Sequence, residues 1–365
     1  MTPYFSILIP TKNRSHIVPY AVQSVLDQTF EDFEILVIDN DDGELTSEAL
    51  AKFSDRRVRY FRTGGLSMSE NWEYGLDRAA GKYLTVLEDK QAYYPHALQT
   101  IYERIQRDAA DVIVWSWDIY QNARHAVLPT RANPTAPTIL TSDDILAAYV
   151  AQPKRSWALL PRMLNAAASL DVVKRIKGRT GHRFFSEVSP DLCAAFQLLS
   201  EVQVVSILNR SMGLVGYLEL SNAKAVNRTK SLKYYGSDEI AKACVDRVPV
   251  KNYWWVHNTV YNDFLRIRDR VGGRLVKYQM TLEGYAALCL SDHLDRGPHS
   301  WFNSSDVKVL IKFVKDNGLP QTLLLRGALI EMARKMVRLL RRGRLIRLNG
   351  CDSILDAARS PILYR

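Results

Sequence analysis

Three short apolar runs in the N-terminal part of the chain each end abruptly in polar side chains. The runs span residues 5–9, 34–38 and 83–87, and the polar clusters after them read Pro-Thr-Lys-Asn-Arg, Asp-Asn-Asp-Asp-Gly and Glu-Asp-Lys-Gln. Amphipathic segments separate the runs, which predicts βαβ units and a mainly parallel sheet. Because ligands bind beyond the carboxyl ends of strands in such sheets, we expect the three polar tips to form one cleft.

The remaining pattern gives a coarse division of the chain. A helix is predicted from Ile17 to Gln28 with Ser15 as its cap, and strands are predicted at 57–61 and 112–117. The density of Pro, Thr and Ala between Leu128 and Thr141 indicates a long connection. Beyond Lys230 the pattern becomes mostly helical, so we divide the chain into 1–115, 116–230 and 231–365.

Five segments occur in an order that resembles the family 2 glycosyltransferases. They are residues 6–14, 35–40, 71–72, 81–89 and 189–191. The resemblance covers about the first 220 residues and implies the GT-A fold, a Rossmann-like α/β sheet flanked by helices. It further implies an enzyme that moves a sugar from a nucleoside diphosphate sugar, with UDP as the expected nucleotide. Residues 1–115 would bind the donor and 116–230 the acceptor, before a helical C-terminal region.

The resemblance assigns a nucleotide-binding role to residues at the first two tips and to Asn71. In the family, an Asp at the end of the second strand accepts a hydrogen bond from the base, and here that residue is Asp39. The turn after the first strand lies under base and ribose, which maps this role onto Pro10, Thr11, Asn13 and Arg14. The cationic side chains of Arg14 and Lys12 also suit a diphosphate. The alternative is that Asp39 only caps a helix or forms a turn.

The third tip departs from the family pattern. Family members carry an acidic tip that holds a divalent metal against the diphosphate, whereas this chain has Glu88, Asp89, Lys90 and Gln91. Mg²⁺ and Mn²⁺ require oxygen ligands, which an ammonium group cannot supply. We therefore expect Lys90 itself to neutralise the diphosphate in a metal-independent reaction. Mg²⁺ or Mn²⁺ bound through Asp89 or Glu88, and a loss of activity, are the alternatives.

Ser189-Pro190-Asp191 occupies the position of the second acidic motif of the family. An inverting transfer needs one base to take the proton of the acceptor hydroxyl, and a carboxylate suits this role. The resemblance therefore makes Asp191 the expected catalytic base, with Glu187 in reserve. The alternative is that Ser189 or Asp191 only caps the helix that follows.

Composition and cysteine spacing bear on the cellular compartment and on the partners of the protein. The chain has 365 residues, is 47% hydrophobic, and carries four widely spaced cysteines without a Cys-x-x-Cys pair. A reducing cytoplasm fits this cysteine pattern, and a zinc site does not. We see no signal peptide and no apolar run near the ~18 residues that span a bilayer. Nucleic acid is not an expected partner, because no recognition motif accompanies the net charge of +10.

Much of the positive charge lies close to the C-terminus. Residues 326–347 contain eight basic residues and one acidic residue, Glu331, and on a helical wheel the basic and apolar residues separate. This separation suits a helix on the anionic inner face of the cytoplasmic membrane. A helix that packs its apolar face against the protein is the alternative.

The expected acceptor is a hydroxyl of a glycan or a lipid-linked saccharide, as in bacterial surface polysaccharide assembly. Two other functions stay open. One is a catalytically silent GT-A module that binds glycans or a partner protein, because the metal tip is altered. The other is a nucleotidyltransferase on a related sheet.

Overall fold

The computed structural model describes residues 2–130, 135–186, 188–220, 244–251, 255–295, 305–340, 345–348 and 350–363. The chain divides into two compact units. Unit 1 comprises Met1–Asp143, Ala158–Leu218 and Leu345–Arg365, and unit 2 comprises Asp144–Trp157 and Glu219–Arg344. The predicted divisions at residues 115 and 230 stay predictions, and residue 230 lies outside the described residues.

Unit 1 is built on one mixed sheet. Its strands are β1 (Phe5–Thr11), β2 (Phe33–Asp39), β3 (Val58–Arg62), β4 (Tyr83–Val86), β5 (Gln91–Tyr93), β6 (Val112–Gln121), β7 (Ala126–Leu128), β8 (Ile139–Thr141), β9 (Ala166–Ser169), β10 (Val204–Val215) and β11 (Ile346–Arg347). The main path runs β11-β7-β6-β9-β4-β1-β2-β3, and β10 pairs with β5, β6 and β8. Strands β4, β1, β2 and β3 are mutually parallel. The other pairings are antiparallel apart from β6 with β10.

Helices cover this sheet and make up most of what is described of unit 2. They are α1 (Val18–Leu26), α2 (Leu45–Leu50), α3 (Met68–Leu76), α4 (Ala97–Asp108), α5 (Ser142–Ala151), α6 (Pro153–Ser156), α7 (Leu170–Thr180), α8 (Pro190–Glu201), α9 (Val256–Val271), α10 (Leu282–Asp295), α11 (Ser305–Asp316), α12 (Thr322–Leu340) and α13 (Ile354–Arg359). Within the described part of the chain, no helix is long and apolar enough to cross a membrane.

The central strands read as continuous apolar runs because helices bury them on both faces. Every residue of β2 is buried, as are six of the seven residues of β1. Helix α3 approaches this layer closely at Gly75, where a Cβ atom would lie 2.8 Å from Ile38 Cγ1 and 2.9 Å from Leu8 Cδ2. Glycine therefore fixes how near α3 lies to the carboxyl ends of the first two strands.

The predicted α/β architecture with N-terminal βαβ units is confirmed, with two local corrections. Helix α1 begins at Val18 behind Ile17, which makes no side-chain cap hydrogen bond, so Ser15 is not the cap. Pro19 lies in the first turn of α1, where its fixed φ favours the start of a helix. The connection between Leu128 and Thr141 ends in the short strand β8, which pairs with β10.

Candidate functional site

The polar ends of β1, β2 and β4 lie at one edge of the sheet, and the cleft predicted there stays a prediction. Thr11 at the end of β1 is in register with Asp39 at the end of β2. On the other side of β1, the Leu87 N–H donates to the Leu8 carbonyl at 2.8 Å, which continues the pairing of β4. Residues 88–90 therefore leave the sheet beside the turn that follows β1, before β5 begins at Gln91.

The first and fourth strand ends are joined through the carboxylate of Asp89. Its Oδ2 accepts a hydrogen bond of 2.9 Å from the Thr11 hydroxyl, and its Oδ1 pairs with Arg14 Nη1 at 2.8 Å. The Asp89 side chain is only 1% exposed. Burial raises the pKa of Asp89, while the charge of Arg14 opposes this effect. Asp89 therefore links two strand ends and has little surface left for a ligand.

The turn between Thr11 and Arg14 has a strained backbone that its neighbours hold in place. Asn13 adopts a φ of 56°, in the left-handed region that Asn tolerates better than most residues. Its backbone N–H donates to the Asp41 carboxylate, which also accepts a bond of 2.7 Å from the Thr46 hydroxyl. The turn after β2 thus fixes the shape of the turn after β1.

Asp39 itself is fully buried within the second turn. Its carboxylate accepts hydrogen bonds from the Tyr60 hydroxyl at 2.6 Å and from the Asp41 backbone N–H at 3.0 Å. Burial is the main cause that raises the pKa of Asp39. The bond to the N–H two residues ahead is the turn interaction considered in the sequence analysis. The role of Asp39 toward a base stays a prediction.

Asn71 lies behind the second strand end. Its amide donates to the Ile38 carbonyl at 3.1 Å, and its Oδ1 lies 2.6 Å from the Thr63 hydroxyl. Asn40 in turn bonds both backbone groups of Leu66. These contacts anchor the start of α3 to the end of β2, and the role of Asn71 in binding a donor stays a prediction.

The turn at residues 88–91 carries an ion pair of its own. Lys90 Nζ lies 3.0 Å from Glu88 Oε1, and the side chain of Lys90 is almost completely buried. The Glu88 N–H donates to the Gln91 side chain at 2.8 Å, and the Lys90 carbonyl accepts a bond of 2.9 Å from the Gly216 N–H. The turn is therefore well supported, and its cation lies beside a carboxylate.

The donor set around this turn does not fit a divalent metal. The carboxylate of Asp89 already pairs with Arg14, and that of Glu88 pairs with Lys90. The next side chain, Gln91, supplies only an amide. A hard cation needs several oxygen ligands and competes poorly with neighbouring positive charges. Among the residues that the structure describes, no group of three or more His, Cys, Asp or Glu is placed to hold a metal.

Asp191 lies in the first turn of α8, where the charges of Arg162 and Glu88 act on it. Arg162 Nη1 is 3.8 Å from its Oδ2, and the side chain of Asp191 is 17% exposed. Burial raises the pKa of Asp191 to about 6, the charge of Arg162 works against this, and the charge of Glu88 adds to it. Ser189 makes no side-chain cap bond, while Asp191 accepts backbone hydrogen bonds in its own turn. A carboxyl group with this pKa is suited to proton transfer near neutral pH.

Sequence reasoning missed Arg162. Burial lowers the pKa of its guanidinium, which the charges of Asp191 and Glu88 oppose. The next residue, Met163, has a φ of 62°, and its carbonyl accepts a bond of 3.1 Å from the Val86 N–H. Strained backbone of this kind often marks functional sites. No motif around Arg162 predicted a role in the site. The pairing of β9 with β4 brings the loop of Arg162 to the site, and the sequence alone does not show this pairing.

The loop before Asp191 is anchored to α3. The Phe185 N–H donates to Glu73 Oε2 at 2.9 Å, and the Phe184 carbonyl accepts a bond of 2.7 Å from Gln197. The Phe185 ring packs edge-on against Trp72 at 5.3 Å between centroids. One helix thus supports both the second strand end, through Asn71, and the loop that leads to Asp191. Glu187, the reserve base, lies outside the described residues.

This arrangement defines an α/β protein with a polar, charged site at the carboxyl ends of parallel strands. Residues 6–152 match the family model described as Glycosyl transferase family 2. The resemblance of these residues to the family is therefore confirmed, and so is the predicted GT-A fold.

Two curated relatives share parts of this region. A GalNAc(5)-diNAcBac-PP-undecaprenol beta-1,3-glucosyltransferase of Campylobacter jejuni is 30% identical over 114 residues, which is 30% of this chain and 37% of that protein. The glycosyltransferase GlyG of Streptococcus pneumoniae is 25% identical over 128 residues, 34% of this chain and 42% of that protein. In both cases, the match spans less than half the length of the relative.

A solved structure extends the likeness in fold over most of the chain. The crystal structure of S. aureus TarS 1-349 in complex with UDP-GlcNAc has a TM-score of 0.51 and 12% sequence identity. The match covers 87% of this chain and 93% of that structure. At this identity the likeness concerns the fold alone.

Proposed function

We propose that this protein is a glycosyltransferase that moves a sugar from a nucleoside diphosphate sugar to an acceptor hydroxyl. The observation that carries the proposal is the carboxyl group of Asp191, whose pKa burial raises to about 6 beside Arg162 and Glu88. A general base works best when its pKa lies near the pH of the reaction. Membership of residues 6–152 in glycosyl transferase family 2 supports the class of reaction.

The proposed reaction is a single inverting displacement. The acceptor oxygen forms a bond to the anomeric carbon as the bond from that carbon to the diphosphate oxygen breaks. Asp191 takes the proton of the acceptor hydroxyl, and the leaving nucleoside diphosphate keeps the electron pair. Arg162 orients the carboxylate of Asp191 through their contact of 3.8 Å.

Negative charge that develops on the leaving diphosphate needs a fixed positive group. We assign this role to Lys90, which exchanges its contact with Glu88 for the diphosphate when donor binds. Arg14 is largely committed to Asp89 and acts as a helper. Because the carboxylates at this turn are paired with cations, the proposal includes activity without a divalent metal.

UDP is the proposed nucleotide, and the proposed acceptor is a glycan or a lipid-linked saccharide. Support comes from the proteins that resemble this chain: the TarS structure holds UDP-GlcNAc, and the C. jejuni relative is named for an undecaprenol-linked acceptor. The predicted setting is the cytoplasm, at the inner face of the membrane where such acceptors would be met.

A donor panel tests the proposal directly. Thermal shifts are measured with UDP, GDP, TDP and CMP and their sugar conjugates, followed by release of sugar from the donors that bind. A ligand at a hundred times its Kd should stabilise the fold by about 2.7 kcal/mol. A flat response to every nucleotide would contradict the proposal, and NMR of the product decides between inversion and retention.

The ion pair between Lys90 and Glu88 supports a second candidate, a catalytically silent module that binds glycans or a partner protein. In that case, Lys90 is a structural cation and the donors bind without turnover. Binding without sugar release, together with retention of the protein on an immobilised glycan, would favour the silent module. Production of pyrophosphate would instead identify a nucleotidyltransferase.

A further inference from the structure

Helix α12, in unit 2, exposes a row of large apolar side chains. Leu325 is 67% exposed, Leu329 62%, Met332 41% and Met336 63%. Their spacing of four, three and four residues places them on one face of the helix. We call these four residues the apolar stripe. Single exposed apolar residues are common on protein surfaces, whereas an aligned row of four indicates a contact surface.

The opposite face of α12 is the one that packs inside unit 2. A Cβ atom at Gly327 would lie 2.8 Å from Leu290 Cδ2 of α10, so the two helices meet there. At about 100° per residue, position 327 lies roughly 200° around the helix from position 325. The apolar stripe therefore faces away from α10. These four side chains are exposed, whereas most of the other large apolar side chains of the helix are not described, so whether its apolar side packs against the protein stays open.

The charges next to the apolar stripe favour one kind of partner. On a wheel drawn from the sequence, positions 326 and 335 fall about 90° to either side of the centre of the stripe. Both positions are basic, Arg326 and Lys335, whereas Glu331, the acidic residue of this segment, falls on the opposite half together with Arg334 and Arg338. Apolar residues bordered by basic ones are the pattern of a helix that lies in the interface of an anionic membrane.

A second copy of this chain fits the apolar stripe less well. The spacing also suits a coiled-coil seam, in which the bordering positions of the two helices meet each other. Both bordering positions would then bring positive charge to positive charge, on a chain with a net charge of +10. Like charges next to a seam disfavour self-association and leave attraction to a negative surface intact.

We propose that the apolar stripe of α12 inserts into the headgroup region of an anionic lipid bilayer, with the basic positions beside it meeting the lipid phosphates. The inference is independent of the proposed enzymatic function, because membrane binding can be measured without donor or acceptor. If both hold, the contact brings the protein to the surface where a lipid-linked acceptor resides.

The first test measures sedimentation with vesicles of phosphatidylcholine and phosphatidylglycerol in equal amounts, and with phosphatidylcholine vesicles alone. The parent should bind the anionic vesicles, and less so as salt is added. The double variant Leu325→Gln/Leu329→Gln should bind at least about tenfold more weakly. The control Leu45→Gln/Ile362→Gln changes residues in unit 1 that are 67% and 61% exposed, and should bind like the parent.

A second measurement reports the location of the stripe and does not depend on affinity. The four native cysteines are buried, so Leu329→Cys supplies an exposed thiol for an environment-sensitive dye. The dye emission should shift to the blue with anionic vesicles, and a dye on Leu45→Cys should not respond. Equal vesicle binding by the Gln variant, or no shift at position 329, would overturn the inference. Self-association of the parent in ultracentrifugation that is lost in the Gln variant, without vesicle binding, would assign the stripe to a second copy.

Discussion

Two carboxylates at the same edge of the sheet have different surroundings. Asp89 is 1% exposed and is held by Arg14 at 2.8 Å and by Thr11 at 2.9 Å. Asp191 is 17% exposed, and its nearest cation, Arg162, is 3.8 Å away. The short contacts of Asp89 tie two strand ends together. Asp191 has a longer contact with its cation and a more exposed side chain than Asp89.

The two carboxylates differ in the role expected of them, one in holding the fold and the other in the reaction. Both groups are acidic residues at strand or helix ends, and the sequence gives no measure of how firmly each is paired. Burial raises the pKa of both carboxylates, and the charge of the neighbouring arginine opposes this effect in each case, at the shorter distance for Asp89. We therefore expect Asp89 to contribute to stability and Asp191 to turnover, and the predictions below test this division.

The largest expected effect is on turnover at Asp191. Asp191→Asn should lower kcat by about 10²–10⁴-fold while donor binding is kept, because an amide cannot accept the proton. Asp171→Asn is the matched control, since Asp171 occupies the same first-turn position in α7 and is exposed. Turnover is measured at saturating donor. Parent-like turnover in Asp191→Asn would remove the base assignment.

A somewhat smaller effect is expected at Lys90. Lys90→Ala should lower kcat by about 10²–10³-fold, the range seen when one group that stabilises developing charge is removed. Glu88→Ala should change kcat by less than about tenfold, because Glu88 only borders the site. Activity of the parent should survive exhaustive chelation with EDTA. Loss of activity that Mn²⁺ or Mg²⁺ restores would show that a metal supplies the charge.

Stability should depend strongly on Asp89. Asp89→Ala should lower the free energy of unfolding by about 3 kcal/mol, because it leaves Arg14 without its paired carboxylate. The control Glu44→Ala, whose side chain is 74% exposed in a surface ion pair with Arg62, should stay within about 0.5 kcal/mol of the parent. Urea denaturation followed by tryptophan fluorescence measures both. Equal stability of the two variants would contradict a structural role for Asp89.

The smallest expected effect is a shift in the pH profile. Because burial raises the pKa of Asp191 to about 6, kcat/KM should fall as the pH drops below about 6 and this base becomes protonated. The charge of Glu88 contributes to the raised pKa, so Glu88→Ala should move this acid limb to lower pH. A limb that moves to higher pH, or stays in place, would separate Glu88 from Asp191.

The sequence by itself determined the strands and the edge of the sheet where the site lies. Continuous apolar runs specify buried strands, and the polar residues after them mark strand ends, because both signals depend on neighbours along the chain. Asp191 was found differently, through the resemblance of Ser189-Pro190-Asp191 to the second acidic motif of the family. The predicted start of α1 was one residue early, and only its cap was wrong, because Ile17 precedes the helix where Ser15 was expected.

Only the tertiary structure decided which charges meet. Arg14 and Asp89 are 75 residues apart, and Arg162 reaches Asp191 only because β9 returns beside β4. The exposure of the apolar stripe on α12 was also beyond the sequence, because periodicity identifies an apolar face without identifying what covers it. Ion pairing and burial depend on distances between segments that loops bring together, and those distances set the strength of a charge interaction.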